Sequence, residues 1–203
     1  YIDAWFHRKA GVLSLSDYMK LVEEVRNTKY TIDIKFGLEI CYFSKFENLI
    51  YNRTKDLELD FLVGSTHFID DFAFDHKPEH WDGINVNNAY KRYYGISIEL
   101  AKSGLFNGIA HPDSIKLFGH QPSFPLLPYY NELADALAKN NMYAEMNSGC
   151  YRRCGCEIGM DVDMIKAMKE HDVEILTASD AHRPEDVGAN IIMMEKMLDE
   201  VQP

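Results

Sequence analysis

The residues DFLVGSTHFID, at positions 60–70, contain the pattern on which the fold prediction depends. The apolar run Phe61–Val63, bounded by polar and small residues, predicts a short buried β-strand over Asp60–Thr66. His67 follows directly after that strand. The same arrangement, a short apolar strand with a polar side chain at its carboxyl end, recurs along the chain on both sides of this stretch.

Strands and helices are predicted to alternate. The other predicted strands are Thr31–Leu38, Asn107–His111, Met142–Asn147 and Val173–Ser179. The predicted helices are Ser14–Thr28, Lys45–Thr54, Asn88–Lys102, Tyr130–Asn140, Val162–His171 and Asn190–Glu200. Polar segments at 70–88 and 148–161 are predicted to be loops. Successive strand–helix units favour a parallel sheet with right-handed crossovers, and therefore an α/β fold.

The length and composition are consistent with one domain spanning residues 1–203. The chain has 46% hydrophobic residues, enough for a sizeable core, and shows no repeat or low-complexity linker. Its net charge of −11 argues against electrostatic capture of nucleic acid or of an anionic membrane. No apolar run approaches the length of a membrane span, and no secretory signal is recognisable, so we expect a cytoplasmic protein.

The predicted strand ends carry side chains that can bind metals or form hydrogen bonds. In chain order they are Glu39, His67, His111, Glu145 with Asn147, and Asp180 with His182. In a closed βα barrel these ends meet at one face, where active sites are built. Imidazole and carboxylate together suit zinc, iron or manganese. Each residue also has an ordinary structural interpretation, for instance Asp180 as a helix cap, so the inference depends on their recurrence.

The motifs resemble those of the PHP (polymerase and histidinol phosphatase) superfamily. They are GLE at 37–39, GSTHFID at 64–70, HPDSIKLFG at 111–119, EMN at 145–147 and SDAHRPEDVG at 179–188. The longer strings are similar to those of the histidinol-phosphatase branch. The resemblance covers residues 31 to about 190 and implies a distorted (β/α)7 TIM-like barrel with three divalent metal ions.

The resemblance also implies a metal-ligand set. Glu39 would bridge two metals, His67 and His111 would bind the second, Asp180 the first and His182 the third. The family's opening His-x-His motif is absent, and His7 does not reproduce its context. We therefore expect the first strands of the barrel to lie in an N-terminal segment that this sequence does not include.

The sequence signals for a phosphate-binding site and for a cysteine-based zinc site are less specific than the strand-end motifs. Arg152 and Arg153 follow the fourth strand and are candidates for clamping a phosphate together with Asn147, although adjacent arginines in a loop are often merely solvated. The spacing of Cys150, Cys154 and Cys156 fits no common structural zinc site, so ordinary thiols are expected.

The expected activity is metal-dependent hydrolysis of a phosphate monoester. Glu39, Asp180 and His182 are the predicted catalytic residues, and L-histidinol phosphate is the expected substrate, as a step of histidine biosynthesis. Two alternatives remain open at this stage: another phosphoesterase or nuclease of the superfamily, and a barrel that binds metal without catalysing a reaction.

Overall fold

The computed structural model describes residues 14–202, in which five parallel strands pair in chain order. The strands are β1 (Gly37–Cys41), β2 (Phe61–Ser65), β3 (Gly108–Ile109), β4 (Tyr143–Asn147) and β5 (Ile175–Ala178). Every neighbouring pair is parallel, so all five carboxyl ends lie at the same edge of the sheet. A sheet in which sequential strands are also spatial neighbours has the strand order of a βα barrel.

Helices connect and cover the strands. They are α1 (Leu15–Arg26), α2 (Glu47–Thr54), α3 (Val86–Lys102), α4 (Leu127–Lys139), α5 (Gly149–Cys154), α6 (Val162–Glu170) and α7 (Ile191–Glu200). Short 3-10 helices span Ser44–Phe46, Pro78–Trp81, Ser114–Lys116 and Pro184–Asp186. Ser14, Asn85 and Asp161 cap α1, α3 and α6 by accepting a hydrogen bond from a backbone N–H of the first turn.

Helix α3 packs closely on the sheet and forms much of the core. Tyr93, Tyr94 and Leu100 on its inner side are 1%, 1% and 0% exposed. The close approach depends on Gly64 in β2, where a Cβ atom would lie only 2.8 Å from Leu100 Cδ2. Burying large apolar side chains contributes roughly 1.5–3 kcal/mol each, so this interface holds the strand that leads to His67 firmly in place.

The expected α/β class and the alternation of strands and helices are confirmed. Several predicted boundaries are wrong. β1 begins at Gly37 rather than Thr31, because the Phe36 N–H donates to Asp60 Oδ2 (2.7 Å) and the ladder starts only after that contact. β3 ends before His111, whose φ of 30° turns the chain out of the sheet.

Part of the predicted loop 148–161 is also helical. Residues 149–154 form α5, which ends at Gly155 in the left-handed conformation (φ 63°). The prediction of a single domain over 1–203 stays a prediction. Among the described residues, no helix has both the length and the apolar character needed to cross a membrane.

Candidate metal centre

Glu39, His67 and His111 form a compact cluster on the carboxyl-end side of the sheet. His67 and His111 follow the ends of β2 and β3, whereas Glu39 lies in the middle of β1 and not at the strand end predicted for it. Their ligand atoms all lie within 4.8 Å of one another. Nε2 of His67 is 3.0 Å from Oε1 of Glu39, and Nε2 of His111 is 3.2 Å from the same oxygen. Two imidazole nitrogens and a carboxylate oxygen converging on one point form a donor set that suits zinc, iron or manganese.

His111 is brought to the cluster by its unusual backbone conformation. The residue is only 5% exposed, and Pro112 and the Ser114–Lys116 turn follow it. Its φ of 30° is rare for a residue with a side chain and aims the imidazole back across the strand ends. Nδ1 of His111 is buried and has no hydrogen-bond partner within the described part of the chain. The ring is therefore fixed on its cluster side, through the contact of Nε2 with Glu39.

His67 is held from its other side by Asp75. Nδ1 of His67 lies 2.6 Å from Oδ2 of Asp75, and Nδ1 of His76 lies 2.9 Å from Oδ1 of the same carboxylate. The carbonyl of Asp75 accepts a hydrogen bond from Arg153 Nη2 at 2.9 Å. A carboxylate behind a ligand histidine fixes the tautomer and the orientation of the ring. Asp75 therefore extends the cluster into the loop after β2.

The cluster is strongly coupled electrostatically. Burial acts to raise the pKa of Glu39, but hydrogen bonds with His111 and His67 outweigh it and hold that pKa well below its usual range. Burial acts to lower the pKa of His67, but the hydrogen bonds to Asp75 and Glu39 raise it to about 10. In the metal-free protein Glu39 therefore stays ionised, while His67 is the charged imidazolium with a proton on both ring nitrogens.

Glu145 in β4 is a buried carboxyl group close to the same centre. Burial raises its pKa, and the negative charges of Glu39 and Asp180 act in the same direction. Asn147, the predicted substrate-binding residue, donates from Nδ2 to Glu145 Oε2 at 3.1 Å and accepts the N–H of Gly149 at Oδ1 (2.7 Å). Both residues therefore line the strand-end face, between the cluster and α5.

Asp180 lies at the end of β5, where the backbone of α5 packs against it. Its φ is 52°, and its negative charge acts on the pKa of His111. Gly149 allows this close approach, since a Cβ atom there would overlap Oδ2 of Asp180 and force that side chain to shift. His182 follows on the same loop, where its Nδ1 lies 2.9 Å from the Asp180 carbonyl and its side chain is 82% exposed. His182 thus lies outside the compact cluster.

The two candidate arginines have different surroundings. Arg152 donates to the carbonyls of Ser179 and Asp180 and to Oγ of Ser148, and so ties α5 to the end of β5. Arg153 is exposed and contacts the Asp75 loop. The roles predicted for Arg152, Arg153, Asp180 and His182 stay predictions.

One supporting residue was missed by the sequence predictions, and two other histidines lie outside the cluster or outside the described residues. Asp75 was not predicted, because it lies eight positions after His67 in a polar loop and no spacing rule links the two. His171 follows the last turn of α6, where its Nδ1 lies 2.8 Å from the Ala167 carbonyl, so this histidine has a structural role at the helix end. His7 lies outside the described residues.

A model of the PHP domain family matches residues 9–149. A probable histidinol-phosphatase of Deinococcus radiodurans is 28% identical over 160 residues, which are 77% of this chain and 60% of the relative. A probable histidinol-phosphatase of Schizosaccharomyces pombe is 24% identical over 196 residues, covering 88% of this chain and 64% of the relative. The chain thus spans less than two thirds of the length of these curated relatives.

A solved structure has a similar fold. The crystal structure of histidinol phosphate phosphatase from Lactococcus lactis, complexed with zinc, L-histidinol and phosphate, aligns with a TM-score of 0.70. The alignment covers 92% of this chain and 73% of that protein at 19% identity, so the likeness is one of fold.

Proposed function

The chain belongs to the PHP domain family, and from that premise we propose that it hydrolyses L-histidinol phosphate to L-histidinol and phosphate in histidine biosynthesis. The observation that carries the proposal is the convergence of Glu39, His67 and His111 on the carboxyl-end side of the sheet. The curated relatives that match the chain are both named as probable histidinol-phosphatases, which supports this substrate over other phosphate esters.

The donor set fits divalent metal ions, and the family resemblance implies three. Glu39, His67, His111, Asp180 and His182 would hold them, with zinc, manganese or iron as candidates. When bound, such ions supply Lewis-acid activation of water and neutralise the charge on phosphoryl oxygens. The ionised Glu39 supplies negative charge to the site, and Asp75 directs the Nε2 atom of His67 towards it.

The chain's own polar residues would position the ester. Three polar side chains lie on the α5 side of the strand-end face: Asn147, Arg152 and Arg153. There they would bind the phosphate and the remainder of the substrate. Arg152 would also keep Asp180 in place through its bond to the Asp180 carbonyl (2.8 Å). His182, exposed on the loop after Asp180, would hold a metal ion rather than protonate the leaving group, because a metal-bound imidazole is less free to act as an acid.

The substrate would be a small molecule, and we propose that the reaction would take place in the cytoplasm. The net charge of −11 disfavours a polynucleotide substrate. Three other functions have to be excluded by experiment: hydrolysis of another small phosphate ester, nuclease activity, and metal binding without catalysis.

Phosphate release by the full-length, metal-loaded protein tests the proposal. We expect turnover of histidinol phosphate to exceed that of a nucleoside monophosphate by at least about 100-fold in kcat/KM, because a site built for a particular side chain rejects analogues that leave its polar groups unpaired. Cleavage of single-stranded DNA as the main activity would identify a nuclease. Tight metal binding without release of phosphate from any of these compounds would contradict an enzymatic role.

A further inference from the structure

The carbonyl oxygen of His111 accepts hydrogen bonds from Ser114 and from Tyr93. The N–H of Ser114 donates to it at 3.0 Å, and the hydroxyl of Tyr93 in α3 donates to it at 3.3 Å. The Ser114 hydroxyl lies 3.1 Å from the Tyr93 hydroxyl oxygen. Since the single Tyr93 hydroxyl proton is directed to the carbonyl, the Ser114 hydroxyl is the donor in the contact between the two hydroxyls. Ser114, Tyr93 and His111 therefore form a chain of hydrogen bonds that ends on the backbone of a candidate metal ligand.

The backbone of His111 needs support of this kind. Its φ of 30° costs free energy for a residue with a side chain. His111 also precedes Pro112, and the residue before a proline favours extended backbone. One residue earlier the chain still follows the sheet, because the Ala110 N–H donates to the Gly64 carbonyl at 2.8 Å. The turn at His111 therefore depends on tertiary contacts, and this turn brings Nε2 within 3.2 Å of Glu39 Oε1.

Tyr93 is itself held in place by the core. It is 1% exposed, and its ring packs edge to face against Phe74 and Tyr94, with centroid distances of 5.3 and 5.2 Å. A ring packed in this way keeps its hydroxyl in a defined position. Phe74 immediately precedes Asp75, the carboxylate that orients His67. The ring of Tyr93 thus contacts the segment behind one histidine of the candidate metal centre, while its hydroxyl contacts the backbone of the other.

We propose that Tyr93 is a positioning residue of the metal centre, which acts through the backbone of His111 rather than by contact with a metal or a substrate. The inference rests on the proposed function, because it takes His111 as a ligand. Without the Tyr93 hydroxyl, the His111 carbonyl loses a donor and the Ser114 hydroxyl loses an acceptor. The imidazole then keeps its place beside Glu39 less strictly, and the site binds its ion less tightly.

Helix α3 also provides a closely matched control. Tyr90 lies about one helical turn before Tyr93 and is likewise 1% exposed. Its hydroxyl donates to a backbone carbonyl, that of His120, at 2.5 Å. His120 does not belong to the candidate metal centre. Tyr90→Phe and Tyr93→Phe therefore remove the same atom from the same helix, but only Tyr93→Phe removes a hydrogen bond to a candidate ligand.

Binding of cobalt(II) to the full-length, metal-free protein measures the effect. The visible absorption of the bound ion reports its coordination geometry, which a lower stability of the fold does not by itself alter. We expect Tyr93→Phe to weaken Co²⁺ binding about 10- to 100-fold and to change this spectrum, because a hydrogen bond that orients a ligand is lost. Tyr90→Phe should bind Co²⁺ within about twofold of the parent with the parent's spectrum, although both variants melt at a somewhat lower temperature.

The outcomes separate the role of Tyr93 from the proposed function. Parent-like affinity and spectrum in Tyr93→Phe, or equal losses in Tyr93→Phe and Tyr90→Phe, overturn the positioning role. If the parent protein binds no cobalt, the metal centre is wrong and the positioning role falls with it. If Tyr93→Phe alone binds cobalt more weakly, but the metal-loaded parent releases no phosphate from histidinol phosphate, the positioning role holds and the proposed function fails.

Discussion

Oδ2 of Asp75 lies 2.6 Å from Nδ1 of His67, on the side of the ring opposite to Glu39. This acceptor keeps a proton on Nδ1, so that His67, on giving up its Nε2 proton to bind a metal, would present the lone pair of Nε2 to the cluster. Asp75 is only 8% exposed, and its carboxylate also contacts His76. The loop between β2 and α3 thereby determines which nitrogen of a strand-end histidine is available.

Asp75→Asn is expected to weaken metal binding about 10- to 100-fold, because the amide binds Nδ1–H more weakly and does not specify the tautomer. Titration of the metal-free protein with zinc measures the change. Asp71→Asn is the matched control: it makes the same charge change at an exposed position of the same loop. If both variants bind zinc like the parent protein, Asp75 does not position His67.

Glu39→Gln keeps the shape of the side chain but removes the charge shared by His67 and His111. We expect more than about 100-fold loss of the proposed phosphatase activity, together with loss of bound metal, because in the proposed site this residue would contact the ions directly. His171→Gln at the end of α6 should retain both. Activity assays and elemental analysis of the two variants decide the matter, and comparable losses would show that the strand-end cluster is not the centre.

The metal-free protein should lose stability from His67 as the pH rises. The folded-state pKa of His67 is about 10, above the unfolded value of about 6.5. A raised pKa contributes stability that is fully present below pH 6.5 and disappears as the pH approaches 10. The difference in melting temperature between the chelator-treated parent and His67→Gln should therefore shrink over this interval. A constant difference contradicts the ion pairs with Glu39 and Asp75.

Gly149→Ala should disturb Asp180, because the new Cβ overlaps its carboxylate. We expect lower metal content and a lower melting temperature. The control is Gly95→Ala within α3, where the nearest atom is Arg92 Nη1 at 4.0 Å. That substitution should stabilise the helix by about 0.5–1 kcal/mol. Unchanged metal content in Gly149→Ala would show that Asp180 is not a ligand or that α5 adjusts freely.

Arg152→Lys and Arg153→Lys separate support of the site from binding of phosphate. Lysine keeps the charge but loses the planar fork that reaches both Ser179 and Asp180 carbonyls. We expect Arg152→Lys to lower stability and kcat, and a phosphate-clamping Arg153 to show a raised KM with unchanged metal content. A loss in kcat/KM of about 10- to 100-fold corresponds to one charge-assisted bond. Parent-like kinetics in both variants exclude an arginine clamp.

Much of the architecture follows from local patterns in the sequence. Five short apolar runs, among them Phe61–Val63, predict buried strands. The helical periodicity of the segments between them predicts helices that connect parallel strands. Parallel strands place their carboxyl ends together, so the sequence alone assigns Glu39, His67 and His111 to one face. The errors lie at the boundaries of the elements. β1, for example, begins six residues after its predicted start, because the first residue of a strand depends on where pairing with a distant strand begins.

The sequence by itself determined the fold class, the family resemblance and the metal-binding residue types, because these depend on periodicity and on motifs a few residues long. The tertiary structure decided which side chains support the site. Asp75 reaches His67 because the loop after β2 folds back, and Arg152 reaches the Asp180 carbonyl because α5 packs on the end of β5. Contacts of this kind depend on how separate segments pack in space, and no spacing along the chain encodes that packing.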